Sequence, residues 1–229
     1  MIDPDRFVGL PDYVAWQEEE LVDSIGFNLL VMSSCGLDKW SSDFVRSRFT
    51  QRCGGPYKTI KSMFRPHRFL FNDAHVPMTD RRVPVAIRDS SGYPHLNYYG
   101  GKGDEPAFTL HPKAEAAWVN HYYYKSAEEY ACKYSRITAL NHPTQRRDLV
   151  RDFVTQTDLI HDDRIFRCSR KFQECYDALL AINGIPEIQE EVHSAFSREL
   201  SKIKTKMLNN PPFDEEDELV QNFMNRLRA

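Results

Sequence analysis

The stretch AWVNHYYYKSAEEY, residues 117–130, joins two kinds of predicted structure. Residues 117–125 are a candidate β-strand, which would place His121, Tyr123 and Lys125 on one face and Asn120, Tyr122 and Tyr124 on the other. Ser126-Ala127-Glu128-Glu129 then forms a capping box, in which the Ser hydroxyl and the Glu carboxylate each accept a backbone N–H from the other residue. The sequence therefore predicts a strand that leads directly into a helix, running from Ser126 to about Ile137.

The composition of the chain changes at the same point. Upstream, Pro, Gly, Tyr and Phe are frequent and apolar runs are short, which favours strands and loops. Downstream, Lys, Glu, Leu and Ala predominate, which favours helices. We therefore predict an α/β fold with an incomplete mixed sheet in residues 1–140 and a helical region in residues 141–229.

Apolar periodicity predicts the other elements. Strands are expected at residues 24–32 and 57–64, and helices at residues 13–22, 147–158, 169–182, 187–207 and 214–228. The fourth of these helices carries an apolar stripe that we expect to pack on the body of the protein or on a partner. The stripe consists of Val192, Phe196, Leu200, Ile203 and Met207.

The bulk composition narrows the class of protein. Of 229 residues, 41% are hydrophobic and 28% are charged, which is typical of a soluble globular chain, and the net charge of -3 does not favour nucleic acid as a partner. No apolar run approaches the roughly 20 residues of a transmembrane helix. The N-terminus lacks signal-peptide features, and the five cysteines form no C-x-x-C pair. We expect reduced thiols and a cytoplasmic location.

The opening Asp3-Pro4-Asp5 has two interpretations. It can be a turn with two solvated carboxylates. Alternatively, because an apolar residue precedes it and Phe7 follows, the two carboxylates can lie at the end of a buried strand. Hard oxygen ligands in that position suit Mg²⁺ or Mn²⁺, which can hold a substrate diphosphate.

A second candidate site lies where the predicted strand meets the predicted helix. Strand alternation places His121 and Lys125 on one face. The helix start that follows offers backbone N–H groups and a positive dipole end, which favour a phosphate, and Lys125 adds a point charge. The alternative is an edge strand with an ordinary His and a surface Lys.

Residues 58–68 form a basic strip, KTIKSMFRPHR. Such a strip can be the solvated face of a strand or a wall that attracts an anionic substrate. Nucleic-acid binding is disfavoured because the net charge is near neutral and the strip has few aromatic residues for stacking. His75 follows in a loop, where a lone His is more often structural than catalytic.

These segments together resemble bacterial glycosyltransferases related to family two. The pattern of that family runs Asp-x-Asp-Glu-Phe, then Lys…Arg-Pro, then a His-Pro-like loop, then Asn-His-Tyr…Lys-Ser before an acidic helix. The corresponding segments here are residues 3–7, 61–66, 74–77 and 120–130, with Arg6 in place of the usual Glu. The resemblance covers about residues 1 to 180, and its most specific part is Asn120 to Ser126.

The resemblance implies a GT-A fold, similar to a Rossmann sheet, and metal-dependent transfer of a sugar. The donor would be a nucleotide-sugar and the acceptor a saccharide or another hydroxyl compound. Carried over residue by residue, Asp3, Asp5 and His121 would bind Mn²⁺ or Mg²⁺. Lys125 and Ser126 would bind the donor phosphate. Separately, strand alternation predicts that Arg6 points away from this site.

Three further residues are candidates within this interpretation. Asp38 and Asp104 are candidates for the catalytic base, and His75 for an acceptor-binding or structural loop.

In the family, an N-terminal nucleotide-binding half precedes the Asp-x-Asp motif. We therefore expect this chain to represent the C-terminal portion and to be inactive alone. An exposed sheet edge or the helical tail would then bind a protein partner. The alternative function is a non-enzymatic remnant or interaction module that docks through its helical tail.

Overall fold

The computed structural model describes residues 1–18, 21–72, 75–78, 84–94, 109, 111–135, 150–211 and 217–229. The chain divides into two compact units, unit 1 with residues 1–31 and 55–121, and unit 2 with residues 32–54 and 122–229. Each unit is therefore built from two separate stretches of sequence, unlike the two successive regions that we predicted. The predicted boundary at residue 140 lies outside the described residues.

The described secondary structure comprises helices, strands and two 3₁₀ turns. The strands are β1 (Ser24–Val31), β2 (Gln51–Cys53), β3 (Tyr57–Phe64), β4 (Phe71–Asn72), β5 (Pro77–Met78), β6 (Ile87–Asp89), β7 (Val119–His121) and β8 (Leu159–His161). The helices are α1 (Leu10–Glu18), α2 (Val45–Arg48), α3 (Ala127–Ser135), α4 (Ser169–Leu180), α5 (Ile185–Asn209) and α6 (Glu218–Arg228). The 3₁₀ turns are Pro66–Arg68 and Arg164–Cys168, and residues 150–154 are also helical.

Unit 1 is organised around β1, which is buried along almost its whole length. β3 pairs antiparallel with one edge of β1. On the other edge, β6 pairs in parallel with Ser24 to Gly26, and β7 pairs in parallel with Leu29 to Val31. The unit therefore holds a mixed sheet, and the predicted α/β class is confirmed.

One hydrophobic cluster of unit 1 joins helix α1 to the sheet. Phe7, Tyr13 and Ile25 pack there with the segment that leads into β7. The first residues of the chain pair with the same segment, since Ile2 forms an antiparallel bridge with Ala117. The start of the chain is thus fixed beside the approach to β7.

Unit 2 is mostly helical. Helices α3, α5 and α6 pack against one another, and β2 pairs antiparallel with β8. Its aromatic core includes Tyr130, Phe153 and Phe223, with the Tyr130 and Phe153 rings stacked at 4.6 Å between centroids. Between residues 150 and 211 the structure has one short strand, so the predicted helical character of this region is confirmed.

Most of the predicted elements agree with the structure. β1 and β3 match their predicted bounds within one residue, and α3 begins directly after Ser126. The strand predicted over residues 117–125 is shorter, since β7 ends at His121. Within the described residues, no helix is both long and apolar enough to cross a lipid bilayer.

Candidate functional site

The Asp-x-Asp segment forms a turn. The Asp3 carboxylate accepts the backbone N–H of Asp5 at 3.1 Å, and the Asp3 carbonyl accepts the N–H groups of Arg6 and Phe7 at 3.2 and 3.1 Å. The Arg6 guanidinium lies over the rings of Phe7 and Trp16, at 5.2 and 5.3 Å from their centroids. The turn interpretation of this segment is therefore correct, and its side chains have local structural contacts.

The structure does not bring Asp3, Asp5 and His121 together as metal ligands. Asp3 lies opposite Ala116, to whose carbonyl its N–H donates at 2.9 Å, and the two segments run antiparallel. His121 is five residues further along the second segment, about 16 Å away if that segment is extended. The described residues contain no group of three His, Cys, Asp or Glu side chains that could hold a metal ion. The predicted three-ligand set is therefore wrong.

His121 nevertheless lies at a position in the sheet of unit 1 where a side chain can contact a ligand. It is the last residue of β7 and pairs with Val31, the last residue of the parallel strand β1. The carboxyl ends of parallel strands are where α/β sheets bind ligands. The side chain is partly exposed, so this position remains a candidate for contact with a substrate.

His75 and Asp104, the two candidates in predicted loops, give less support to a catalytic or binding role. The Nδ1 atom of His75 lies 2.8 Å from the carbonyl oxygen of Ile60, which it can reach as a donor and which ties this loop to strand β3. That contact agrees with the structural interpretation of His75. Asp104 lies outside the described residues.

The capping box at Ser126 is present in unit 2. The Ser126 hydroxyl accepts the N–H of Glu129 at 3.3 Å, and the Glu129 carboxylate accepts the Ser126 N–H at 3.3 Å and its hydroxyl at 2.8 Å. Ser126 is fully buried. The sequence therefore predicted the start of helix α3 correctly, together with the contacts that stabilise it.

The first turn of α3 has no free N–H group for a phosphate. The N–H of Ala127 donates to the carbonyl of Leu37, and the N–H of Glu128 donates to the carbonyl of Asp38, both at 3.1 Å. With Glu129 bonded to Ser126, the three leading N–H groups all have acceptors. The predicted phosphate site at Ser126 is therefore wrong, because residues 37 and 38 fold back onto the helix start.

Asp38, a candidate for the base, is part of an ion pair. Its carboxylate accepts the Arg226 Nε–H at 2.7 Å, and Arg226 also donates to the carbonyl of Leu37 at 3.3 Å. This pair joins the residue 37–38 loop to helix α6, so the role of Asp38 is structural.

A buried ion pair that the sequence did not reveal lies beside the cap. Both terminal nitrogens of Arg48 donate to the Glu129 carboxylate at 3.0 Å, and both side chains are less than a tenth exposed. The Lys125 ammonium lies 4.0 Å from the same carboxylate, with its side chain 40% exposed. Two cations thus face one anion, and Lys125 is the one that reaches solvent.

A second lysine adds to this positive region. The Lys133 ammonium lies 3.0 Å from the centroid of the Tyr123 ring and donates to the Tyr123 carbonyl at 3.3 Å. Although much of the residue is exposed, burial of the ammonium against the ring, together with the nearby charge of Lys125, lowers the pKa of Lys133 to about 8. A bound anion would relieve the repulsion between these two lysines.

No family model, curated protein or solved structure matches this chain.

Proposed function

We propose that this chain belongs to a sugar-transfer system, in which a sugar moves from a nucleotide-sugar donor to an acceptor hydroxyl. The observation that carries the proposal is the course of the segment from Asn120 to Ser126. It leaves the carboxyl end of β7, next to the carboxyl end of the parallel strand β1. Ligand-binding residues of α/β sheets characteristically occupy this edge.

The chemistry of sugar transfer requires positive charge at the leaving group. The acceptor oxygen forms a bond to the anomeric carbon, and the bond from that carbon to the diphosphate breaks. The nucleoside diphosphate leaves with the electron pair, and the acceptor hydroxyl loses its proton to solvent water. Lys125 supports this step, since its partly exposed ammonium can approach a diphosphate and stabilise the charge that develops on it.

The proposal assigns no step to Mn²⁺ or Mg²⁺. Asp3 and Asp5 form a turn and do not share a ligand group with His121, so these residues do not fit a common metal ion. It also assigns no general base, because Asp38 is paired with Arg226. Lys125 is the residue to which the proposal commits for binding the diphosphate.

Calorimetric titration of the full chain tests the proposal. Each common nucleoside diphosphate and its parent nucleoside would be titrated into the wild type and into Lys125→Ala. We expect the substitution to weaken diphosphate binding about tenfold while nucleoside binding stays unchanged. Lys202→Ala is the matched control, because Lys202 forms an exposed pair with Glu199 elsewhere in unit 2. If no nucleoside diphosphate or nucleotide-sugar binds the wild type, the proposal is wrong.

One observation favours a second function, as an interaction module. Where α4 ends and α5 begins, four large apolar side chains are 47% to 57% exposed. They are Leu179, Ile182, Ile188 and Val192. Large apolar side chains that are left exposed on a surface often mark a protein contact. Sedimentation velocity over a range of protein concentrations would test self-association of the chain through these four residues. We expect an oligomer in the wild type that Ile188→Glu abolishes. A wild type that stays monomeric at all concentrations would argue against this function.

A further inference from the structure

Helix α5 has a polar face that is distinct from its apolar stripe. Glu190, His193, Ser194, Ser197 and Arg198 follow the spacing of one side of a helix. A polar helical face is usually only solvated. Here Trp40 and Ser42 lie across it, and the seven residues line a groove of about 410 Å³, which we call the Trp40 groove. Its volume falls within the range of small-molecule sites, about 300–1,000 Å³.

The aromatic wall of the Trp40 groove is held in place by contacts on several sides. The Trp40 ring packs edge-to-face with His193 and Phe196, at 6.0 and 5.5 Å between centroids. Its backbone N–H donates to Glu128 Oε2 at 3.0 Å, and Glu128 Oε1 accepts from Lys204 at 3.0 Å. The wall is therefore organised before any ligand arrives, which lowers the entropic cost of binding.

The polar side chains of the groove have unused hydrogen-bonding capacity. Among the described residues, none of the six polar side chains that line it has a hydrogen-bond or ion-pair partner. They are Ser42, Glu190, His193, Ser194, Ser197 and Arg198. Neighbouring polar groups of unit 2 behave differently, since Glu128 and Asp38 are both paired. The groove thus presents donors and acceptors that a ligand can use without breaking contacts within the described structure.

The chemistry of the lining selects one class of ligand. The hydroxyls and the imidazole can both donate and accept, Glu190 accepts only, and Arg198 donates only. The opposite charges of Glu190 and Arg198 leave little net charge for an anionic ligand. Trp40 adds an apolar surface, and a sugar ring presents one apolar C–H face and a rim of hydroxyls that donate and accept. We infer that the Trp40 groove binds a neutral saccharide.

The role of this saccharide as the sugar acceptor rests on the proposed function, whereas its binding does not. An acceptor for glycosyl transfer needs free hydroxyls, and a neutral saccharide supplies them.

Saturation-transfer NMR on the full chain tests the binding without any nucleotide. The probes are lactose, maltose, cellobiose and chitobiose, with mannitol as an open-chain polyol of similar polarity and no ring. We expect at least one disaccharide to receive saturation through its C–H face and to change the tryptophan fluorescence at millimolar concentration, with mannitol inactive. Trp40→Phe should reduce the fluorescence change, since the two other tryptophans of the chain do not line the groove.

A second variant removes the two charged side chains of the groove without an expected effect on folding. Glu190 and Arg198 are exposed on α5, so the double variant Glu190→Ala/Arg198→Ala should fold normally. We expect its affinity for the disaccharide to be about tenfold lower than that of the wild type. The matched control is Arg170→Ala/Glu174→Ala, which removes the same residue types from an exposed pair on α4. We expect the control to bind the disaccharide as the wild type does.

Two results would overturn the inference. One is the absence of saturation transfer to every disaccharide above the level of mannitol, and the other is unchanged affinity in the Glu190/Arg198 variant. The test separates this inference from the proposed function. If a disaccharide binds but no nucleoside diphosphate does, the inference that the groove binds a saccharide holds, and the proposed sugar-transfer function is wrong. If diphosphates bind at Lys125 but no disaccharide binds, the inference about the groove fails alone.

Discussion

The region around Ser126 and the Trp40 groove contain the same kinds of side chain in different states. Around Ser126, Glu129 and Arg48 are buried and bonded to each other, and the Ser hydroxyl caps a helix. In the groove, Glu190, Arg198 and three serines are unpaired within the described structure. Polar residues whose hydrogen bonds are satisfied inside the protein stabilise its fold. Polar residues that converge without partners are free to bind a ligand.

The largest effect is expected from breaking the Arg48–Glu129 pair. Arg48→Ala leaves the Glu129 carboxylate buried with its main partner removed, and we expect the free energy of unfolding to fall by about 3–5 kcal/mol. Urea denaturation followed by circular dichroism measures it. Arg198→Ala is the comparison from the groove, where we expect a change of at most about 0.5 kcal/mol. If the two variants lost equal amounts of unfolding free energy, the two regions would not differ in their contribution to stability.

Helix α5 allows the same comparison between two apolar positions of one stripe. Leu200 is 4% exposed, whereas Val192 is 57% exposed. Leu200→Ala should cost about 2–5 kcal/mol, because it removes buried methyl groups and leaves a cavity. Val192→Ala should change stability by no more than about 0.5 kcal/mol. A small effect at Leu200, measured by thermal or urea unfolding, would mean that this end of α5 is not anchored in unit 2.

A smaller effect is expected at the helix cap. Ser126→Ala removes the acceptor for the Glu129 N–H, and we expect a loss of about 0.5–2 kcal/mol. Ser197→Ala, on the groove face of α5, is the matched substitution and should be nearly neutral in unfolding. If Ser126→Ala leaves stability unchanged, the capping contacts do not contribute as described.

The pH dependence of the unfolding free energy should report the burial of the Lys133 ammonium. Its pKa is lowered to about 8 in the folded chain, below the value of about 10.4 in an unfolded one. Between these values the unfolded chain binds more protons, so the contribution of Lys133 to the unfolding free energy rises with pH. The wild type should therefore gain stability relative to Lys133→Met from about pH 8 to pH 10. A constant difference across this window would show that the Lys133 ammonium is not buried.

Local signals account for the parts of the structure that the sequence predicted. Strands β1 and β3 follow from short apolar runs, and the start of α3 follows from the spacing of Ser126 and Glu129. The apolar periodicity of α5 also identified Leu200 as a core residue. In each case the residues that decide the outcome lie within a few positions of one another.

The candidate site was less predictable because its partners are distant in sequence. Asp38 meets Arg226 across 188 positions, and Arg48 meets Glu129 across 81. The separation of Asp3 from His121 depends on the antiparallel register at Ile2, which the spacing of the two motifs does not encode. The Trp40 groove was missed because its face of α5 has the pattern of an ordinary solvated surface.

The most direct test of this account is a saccharide titration of Arg198→Ala followed by tryptophan fluorescence, on protein whose unfolding free energy has also been measured. We expect the affinity to fall clearly below that of the wild type while the unfolding free energy stays within about 0.5 kcal/mol of it. Wild-type affinity in this variant, or a loss of stability comparable with that of Arg48→Ala, would contradict the assignment of the Trp40 groove as a binding site.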